Sequence, residues 1–400
     1  WASCYFVQLI FNAKALRPPV TGVGNYTYHL LEQYLQGRYA VDEVYCFSGT
    51  HWLTGSQQLA ITADIRTRRE TSAARSLNGA VAEIREAIGK IPGVLSLFSF
   101  AMDRRFKSTA NAIQDAVYHE TNYILKPYSG PCVTTVHDLS YLRYPQYHSD
   151  YLVDWLAHGL PKSLDRADCI LTVSNIVREE LIEHFNIPEQ KVRTVYAGVE
   201  ACYRPRSEEQ TSAVLTALGL RHKQYVLLSA TLEPRKGIDV LLDAWSLLPE
   251  SLRRDIPLVL TGSPGWRNEA LMTKLAALMA EGTVRYLGYV PADVLSVLFS
   301  GATVFCYPSV YEGFGLPVLD AMSSGVPVIC RAGTSMAEFS QGACVLCNTG
   351  EPEELAFNLE SLLCSQSLRD HWAEKGERQA ALFSWERCAA ETAEIYREVS

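Results

Sequence analysis

The chain has 400 residues, of which 48% are hydrophobic and 20% charged, with a formal net charge of −8. That length allows two or three domains with substantial cores. The composition excludes a disordered or membrane-embedded chain, and the acidic balance argues against a generic nucleic-acid coat, which needs a basic surface.

In chain order, Tyr5–Phe11, Glu43–Phe47, Ala116–His119, Cys132–His137, Cys169–Ser174 and Val192–Ala197 are short apolar runs that predict strands. A second set follows at Tyr225–Ala230, Leu258–Thr261, Val284–Leu287, Val304–Tyr307, Val326–Cys330 and Cys344–Cys347. Amphipathic stretches between them predict helices over Tyr26–Leu35, Ile238–Leu248, Asn268–Glu281 and Pro352–Ser365. Apolar runs alternating with helical patterns indicate βαβ units on parallel sheets, and two sets of about six strands indicate two doubly wound α/β domains. The charged, Pro- and Ser-containing run from Arg204 marks the boundary. The expected division is into one domain over 1–203 and a second over 204–384. Ligands of such sheets bind beyond the carboxyl ends of the strands, which places the site in the cleft between the domains.

Eleven cysteines without regular spacing suit reduced, mostly buried thiols of a cytoplasmic protein. The lone Cys344-Val-Leu-Cys347 reads as strand residues rather than a metal site. The apolar run Gly93–Met102 is half the ~18–20 residues needed to span a bilayer. Tyr5–Phe11 reads as a first strand and not as a signal peptide.

The most informative segment runs from Tyr307 through Tyr311-Glu312-Gly313-Phe314-Gly315-Leu316-Pro317 to Asp320. A strand ends at Tyr307, a Gly-containing loop follows, and Pro317 fits the first turn of a helix beginning near Gly315 or Leu316. Its amides and positive dipole end form an anion site, and Gly313 and Gly315 permit close backbone approach to a phosphate. Asp320 is expected in that helix's first turn, where an acid also complements the dipole. In Thr231-Leu-Glu-Pro-Arg235-Lys236-Gly237 two cations stand between a strand end and a helix start. The dipole disfavours cations there, which argues for a bound anion such as a diphosphate. His137 ends a buried strand beside Asp138 and faces the cleft. Gly22-Val-Gly24 matches only part of a dinucleotide fingerprint, since Thr27 holds the third glycine position, which disfavours a nicotinamide dehydrogenase.

Tyr-Glu-Gly-Phe-Gly-Leu-Pro-Val-Leu-Asp320 resembles the signature of retaining glycosyltransferases of family 4, whose GT-B fold sets two Rossmann-like domains face to face across a cleft. That signature has a Glu, seven residues, then another Glu. The resemblance implies that Glu312 faces the donor sugar and that Asp320, one methylene shorter than the family residue, meets the ribose. Arg235 and Lys236 would then hold the donor pyrophosphate, Lys236 foremost, because Ala230-Thr231 stands where many members have Gly-Arg. His137 would contact a hydroxyl of the donor sugar near the reacting carbon. Gly22 and Gly24 would lie in a first loop over the donor phosphates, and Tyr289 and Val290, after Gly288, would offer backbone contacts to the base. Thr231, Gly313, Phe314, Gly315 and Leu316 complete the donor-binding set. Glu338, in Thr334-Ser-Met-Ala-Glu-Phe, departs from the common Pro-Glu-Val form and reads as structural, with a donor contact as the lesser alternative. Phe383-Ser-Trp-Glu-Arg387 resembles the start of helices that cross back onto the first domain.

The implied reaction moves a hexose from a nucleotide-diphosphate donor to a hydroxyl of a growing glycan with retention, and needs no metal or other cofactor. The runs Thr231–Lys236 and His137–Pro145 look most like bacterial mannosyl- and rhamnosyltransferases that build O-antigen from GDP-sugars. A nucleotide-sugar epimerase of the same fold, or a non-catalytic nucleotide-sugar-binding protein, would share the cleft. Between Asp64 and Lys107 nine Lys and Arg residues stand against five Asp and Glu. With the apolar run Ile91–Phe100, this segment reads equally as a solvated helix face and as a surface for an anionic membrane. The membrane reading implies a lipid-linked acceptor and a peripheral position on the inner face of the cytoplasmic membrane.

Overall fold

The computed structural model describes residues 7–17, 22–39, 41–70, 94–265 and 269–400. Tyr5 and Phe6 of the expected first strand, residues 18–21 of the first loop and residues 71–93 of the basic segment lie outside them.

The first sheet contains β1 (Val7–Asn12), β2 (Val41–Phe47), β3 (Trp52–Leu53), β4 (Ala116–Glu120), β5 (Cys132–Val136), β6 (Cys169–Thr172) and β7 (Val192–Thr194), in the order β3-β2-β1-β4-β5-β6-β7. Every neighbouring pair is parallel except the short edge strand β3, which runs antiparallel to β2 and has no counterpart in the sequence reading. Two residues are too few to show a period. The second sheet, in the order β10-β9-β8-β11-β12-β13, is parallel throughout. It consists of β8 (Val226–Ser229), β9 (Leu258–Thr261), β10 (Val284–Tyr286), β11 (Val304–Tyr307), β12 (Val328–Arg331) and β13 (Val345–Cys347).

The sheet interiors follow from burial on both faces: β4, β5, β6, β9 and β11 are buried along their whole lengths, so they read as continuous apolar runs without alternation. In each sheet the strand order reverses once, between β1 and β4 and between β8 and β11. These reversals are the switch points that open a crevice at the carboxyl ends.

The helix Trp385–Val399 returns to the first domain. Tyr396 Oη lies 2.6 Å from His119 Nδ1, and Tyr34 Oη donates to the Ala389 carbonyl at 3.2 Å. The return passes close to the linker: a Cβ on Gly198 would stand 2.1 Å from the Trp385 amide nitrogen.

The ten described cysteines are free, and all but Cys202 and Cys364 are buried. Cys347 lies in β13, while Cys344 precedes it and packs against the Met322 sulfur at 3.7 Å. Among the described residues no helix is long and apolar enough to cross a membrane.

Candidate active site

Two loops meet at the switch point of the second sheet. The loop after β8 makes one tight turn, Pro234–Lys236, and reaches Gly237 in the left-handed region (φ 64°) before the helix Ile238–Leu247. The loop after β11 reaches Gly315, also left-handed (φ 104°), before the helix Leu316–Ser323. A Cβ on Gly237 would come within 2.5 Å of the Pro308 carbonyl oxygen, so the loops can cross only at glycine. Val310 N–H donates to the Arg235 carbonyl at 3.0 Å and stitches the loops together, with Ser309 Oγ 3.1 Å from the same carbonyl oxygen. Neither helix start has a side-chain cap, and each presents first-turn amides and a positive dipole end of the kind that binds anions.

Glu312 lies at the centre of this crossing. Lys236 Nζ donates to its Oε1 at 2.6 Å, Ser309 Oγ donates to the same oxygen at 2.7 Å, and Tyr307 Oη does so at 3.2 Å. The Arg235 guanidinium lies 3.5 Å from Oε2 and also donates to the Tyr311 carbonyl (2.6 Å) and to Glu233 (2.9 Å). Burial by itself would raise the Glu312 carboxyl, but Lys236 and then Arg235 outweigh it and hold the group at about 2. Burial likewise works against the Arg235 charge, while Glu312, Asp138 and Glu233 push that guanidinium above its ordinary range. Desolvating ions is costly and seldom improves stability, so two cations and two carboxylates gathered at a strand switch point indicate a functional site.

The first domain supplies the facing wall. His137 follows β5 directly, and its neutral ring donates from Nε2 to the Thr121 carbonyl at 2.8 Å. Burial pushes its pKa down, against opposing pulls from Thr121 and Asp138, and the neutral ring keeps Nδ1 as an acceptor. The Tyr26 ring meets the imidazole edge-on with centroids 5.0 Å apart. The walls touch at Gly313, where a Cβ would stand 1.9 Å from the His137 carbonyl oxygen. Tyr311 crosses the same boundary: its hydroxyl donates to Glu180 at 2.7 Å and accepts from the Leu139 amide at 2.9 Å. A cavity of about 300 Å³ opens beside Glu312, lined among others by Arg143, Tyr144, Glu180, Tyr311 and Thr334.

The other expected site residues divide by position. Gly22 and Gly24 lie in the first turn of the helix Gly22–Tyr34, one turn before Tyr26, and not in a loop as expected. Glycine tolerates helical dihedrals, and Thr27 Oγ1 donates back to the Val23 carbonyl at 2.8 Å. Thr231 is exposed at the end of β8. The Phe314 side chain turns inward and stacks on Phe339 with centroids 4.6 Å apart. Leu316 opens the helix, and Asp320 lies in its second turn, not the first, because the helix starts only after Gly315. Tyr289 and Val290 follow β10, two strands from β8, and the Tyr289 side chain is exposed. Sequence reasoning missed the carboxylate partner Glu233, the Glu312 ligand Ser309 and the interdomain strut Tyr311. All three stand inside the motifs already quoted, but spacing does not show which neighbours a loop crossing brings together.

Residues 20–201 match the family described as Glycosyltransferase Family 4, and residues 216–379 match Glycosyl transferases group 1. The chain is 34% identical over 391 residues to O-antigen chain mannosyltransferase B of Escherichia coli, covering 98% of this chain and 100% of that one. The chain belongs to glycosyltransferase family 4. Another relative, the serotype-specific mannosyltransferase WbdA of Escherichia coli, is 27% identical over 304 residues, which is 70% of this chain and 36% of that one. Among solved structures, WaaG, a glycosyltransferase involved in lipopolysaccharide biosynthesis, superposes with a TM-score of 0.64 at 15% identity over 97% of this chain and 99% of that one. Anabaena HepE in complex with UDP and glucose does so with a TM-score of 0.64 at 17% identity over 98% and 100%. This family 4 glycosyltransferase therefore has the GT-B fold.

Proposed function

We propose that this glycosyltransferase moves a hexose of mannose or 6-deoxy-mannose (rhamnose) type from a GDP-activated donor to a hydroxyl of a growing, lipid-linked bacterial surface polysaccharide. The observation that carries the reading is the crossing at Glu312, where Lys236, Arg235 and two uncapped helix starts converge on one switch point. A departing nucleoside diphosphate concentrates negative charge, and fixed cations and helix amides aimed at it supply the largest stabilising contribution. In this scheme they take the place of a divalent metal.

The reaction proceeds with retention. The acceptor oxygen approaches the anomeric carbon on the face that the diphosphate leaves, the bond from that carbon to the phosphate oxygen breaks, and the new glycosidic bond forms. The acceptor proton passes to the departing phosphate oxygen. Glu312, kept ionised by its cations, accepts hydrogen bonds from donor-sugar hydroxyls, and Nδ1 of neutral His137 accepts another. Asp320 reaches the ribose. The kinship with O-antigen chain mannosyltransferase B supports mannose and the polysaccharide acceptor. Exposed Arg104, Arg105 and Lys107 on the helix Val94–Ala110 support docking to an anionic leaflet, because they face solvent while Phe106 and Ala110 of the same helix are buried.

The test is a panel of GDP- and UDP-sugars scored by thermal shift and by donor hydrolysis, since selective binding stabilises the folded state by mass action. GDP-mannose or GDP-rhamnose should raise the melting temperature and be hydrolysed slowly without acceptor. Selective stabilisation by a UDP-sugar would overturn the donor assignment, and absence of both transfer and hydrolysis would overturn the catalytic one.

A further inference from the structure

The helix Asn175–Phe185 of the first domain needs acceptors for its leading amides, which no helix provides for itself. Its N-cap, Ser174, accepts from the Val177 amide at 3.3 Å. The two amides before it are taken by a residue of the other domain: Asn175 N–H donates to Glu338 Oε1 at 2.7 Å and Ile176 N–H to Oε2 at 2.9 Å. Tyr196 Oη adds a third donor to Oε1 at 2.8 Å and itself accepts from the Asn175 side chain at 2.9 Å. A carboxylate spread across a helix start in this way also complements its dipole.

Glu338 lies on the short helix Ser335–Ser340, and Ser335 holds the candidate catalytic loop. Ser335 Oγ is within hydrogen-bond reach of the Glu312 carbonyl (2.8 Å) and the Phe314 carbonyl (2.9 Å). Ser174 completes the circuit by donating from Oγ to the Gly313 carbonyl at 2.7 Å. The two hydroxyls that flank the Glu338 contact therefore hold the Glu312 loop by its carbonyls, Ser174 at Gly313 and Ser335 at one of the two on either side of it.

We infer that Glu338 is an interdomain positioning residue, which makes closing of the cleft and capping of the Asn175–Phe185 helix the same event. When the domains part, two helix amides and a carboxylate return to water together. When they close, the cap sets the register in which His137 faces Glu312. Glu338 is half-buried and Asn175 exposed, so water can replace the contact and the closure is reversible. The inference rests on the glycosyl-transfer reading only for its catalytic consequence.

The test compares Glu338→Ala, Glu338→Gln and Tyr196→Phe in the full chain. Amide hydrogen exchange at Asn175 and Ile176 should accelerate in Glu338→Ala, and small-angle scattering without added ligand should show a larger radius of gyration. Transfer from GDP-mannose should lose about tenfold or more in kcat, the scale of one charge-assisted hydrogen-bond set, with donor KM within about twofold of wild type. Glu338→Gln, which keeps one carbonyl acceptor, should fall between, and it carries the experiment if the alanine variant does not fold. Unchanged exchange and scattering would overturn the inference. Faster exchange with unchanged kcat would reduce Glu338 to a structural cap, and a raised donor KM at constant kcat would make it a donor contact, either of which overturns the positioning role. The exchange and scattering measurements need no donor, so a wrong donor assignment appears separately, as an inactive wild type.

Discussion

Lys236 Nζ stands 2.6 Å from Glu312 Oε1, and the two side chains reach each other from loops that follow β8 and β11, 76 residues apart in sequence. Each is almost fully shielded from water, at 11% and 12% side-chain exposure. Neither ion can therefore lose its partner without consequence. Lys236→Ala should reduce transfer by about two or more orders of magnitude, the scale lost with one electrostatic partner of a transition state. Glu312→Ala should do the same, because in the proposed reaction it removes the acceptor that orients the donor sugar. Steady-state kinetics on both variants checks this, and wild-type turnover in either would remove that residue from the site.

Gly313 is the point at which the two walls touch. A methyl group there would overlap the His137 carbonyl oxygen, a backbone atom that cannot swing aside. Gly313→Ala should therefore force the domains apart and lower kcat by at least about tenfold, on the scale that small misplacements of reacting groups cost. The isolated fold of each domain should survive, so circular dichroism should be unchanged while scattering reports a more open molecule.

If Asp320 binds the ribose, Asp320→Ala should chiefly raise the donor KM. Asp320→Glu should be tolerated, since it restores the residue of the family signature. A large loss of kcat at constant KM would instead assign the carboxylate to the transition state.

His119 makes stability depend on pH. It is fully buried between Tyr396 and Thr135, and burial, aided by His137, pushes it down to about 3. The unfolded chain takes up a proton near pH 6.5 that the folded chain refuses, so this contribution is complete above pH 6.5 and declines as the pH falls toward 3. At pH 5 the loss amounts to roughly 2 kcal/mol. Denaturant titrations of wild type from pH 7 to pH 5 should show this decline, and His119→Gln should flatten it. An equal slope in both proteins would count against the assignment.

Binding to anionic vesicles should be salt-sensitive and should weaken when Arg104, Arg105 and Lys107 are replaced by Glu, because each basic residue near an anionic surface contributes roughly 1 kcal/mol. Equal sedimentation with neutral and anionic vesicles, for wild type and variant alike, would rule this surface out.

The sequence by itself determined the architecture. Parallel strands buried on both faces must be apolar throughout, so β4, β5, β9 and β11 announce themselves as short runs, and glycine before Pro317 and after Lys236 marks the two helix starts. It also brought out the candidate site residues, because Glu312, Lys236, Arg235 and His137 all stand just beyond strand ends. Only the tertiary structure decided how they are partnered. That Glu312 is pinned by Lys236 and Arg235, that Gly313 abuts the His137 carbonyl, and that Glu338 caps a helix of the other domain are contacts between segments more than a hundred residues apart or between loops whose crossing depends on strand order. Local periodicity reports which face of an element is buried. The partner it is buried against is set by the order of strands in the sheet and by the closure of two domains, and neither leaves a trace in the spacing of residues along the chain.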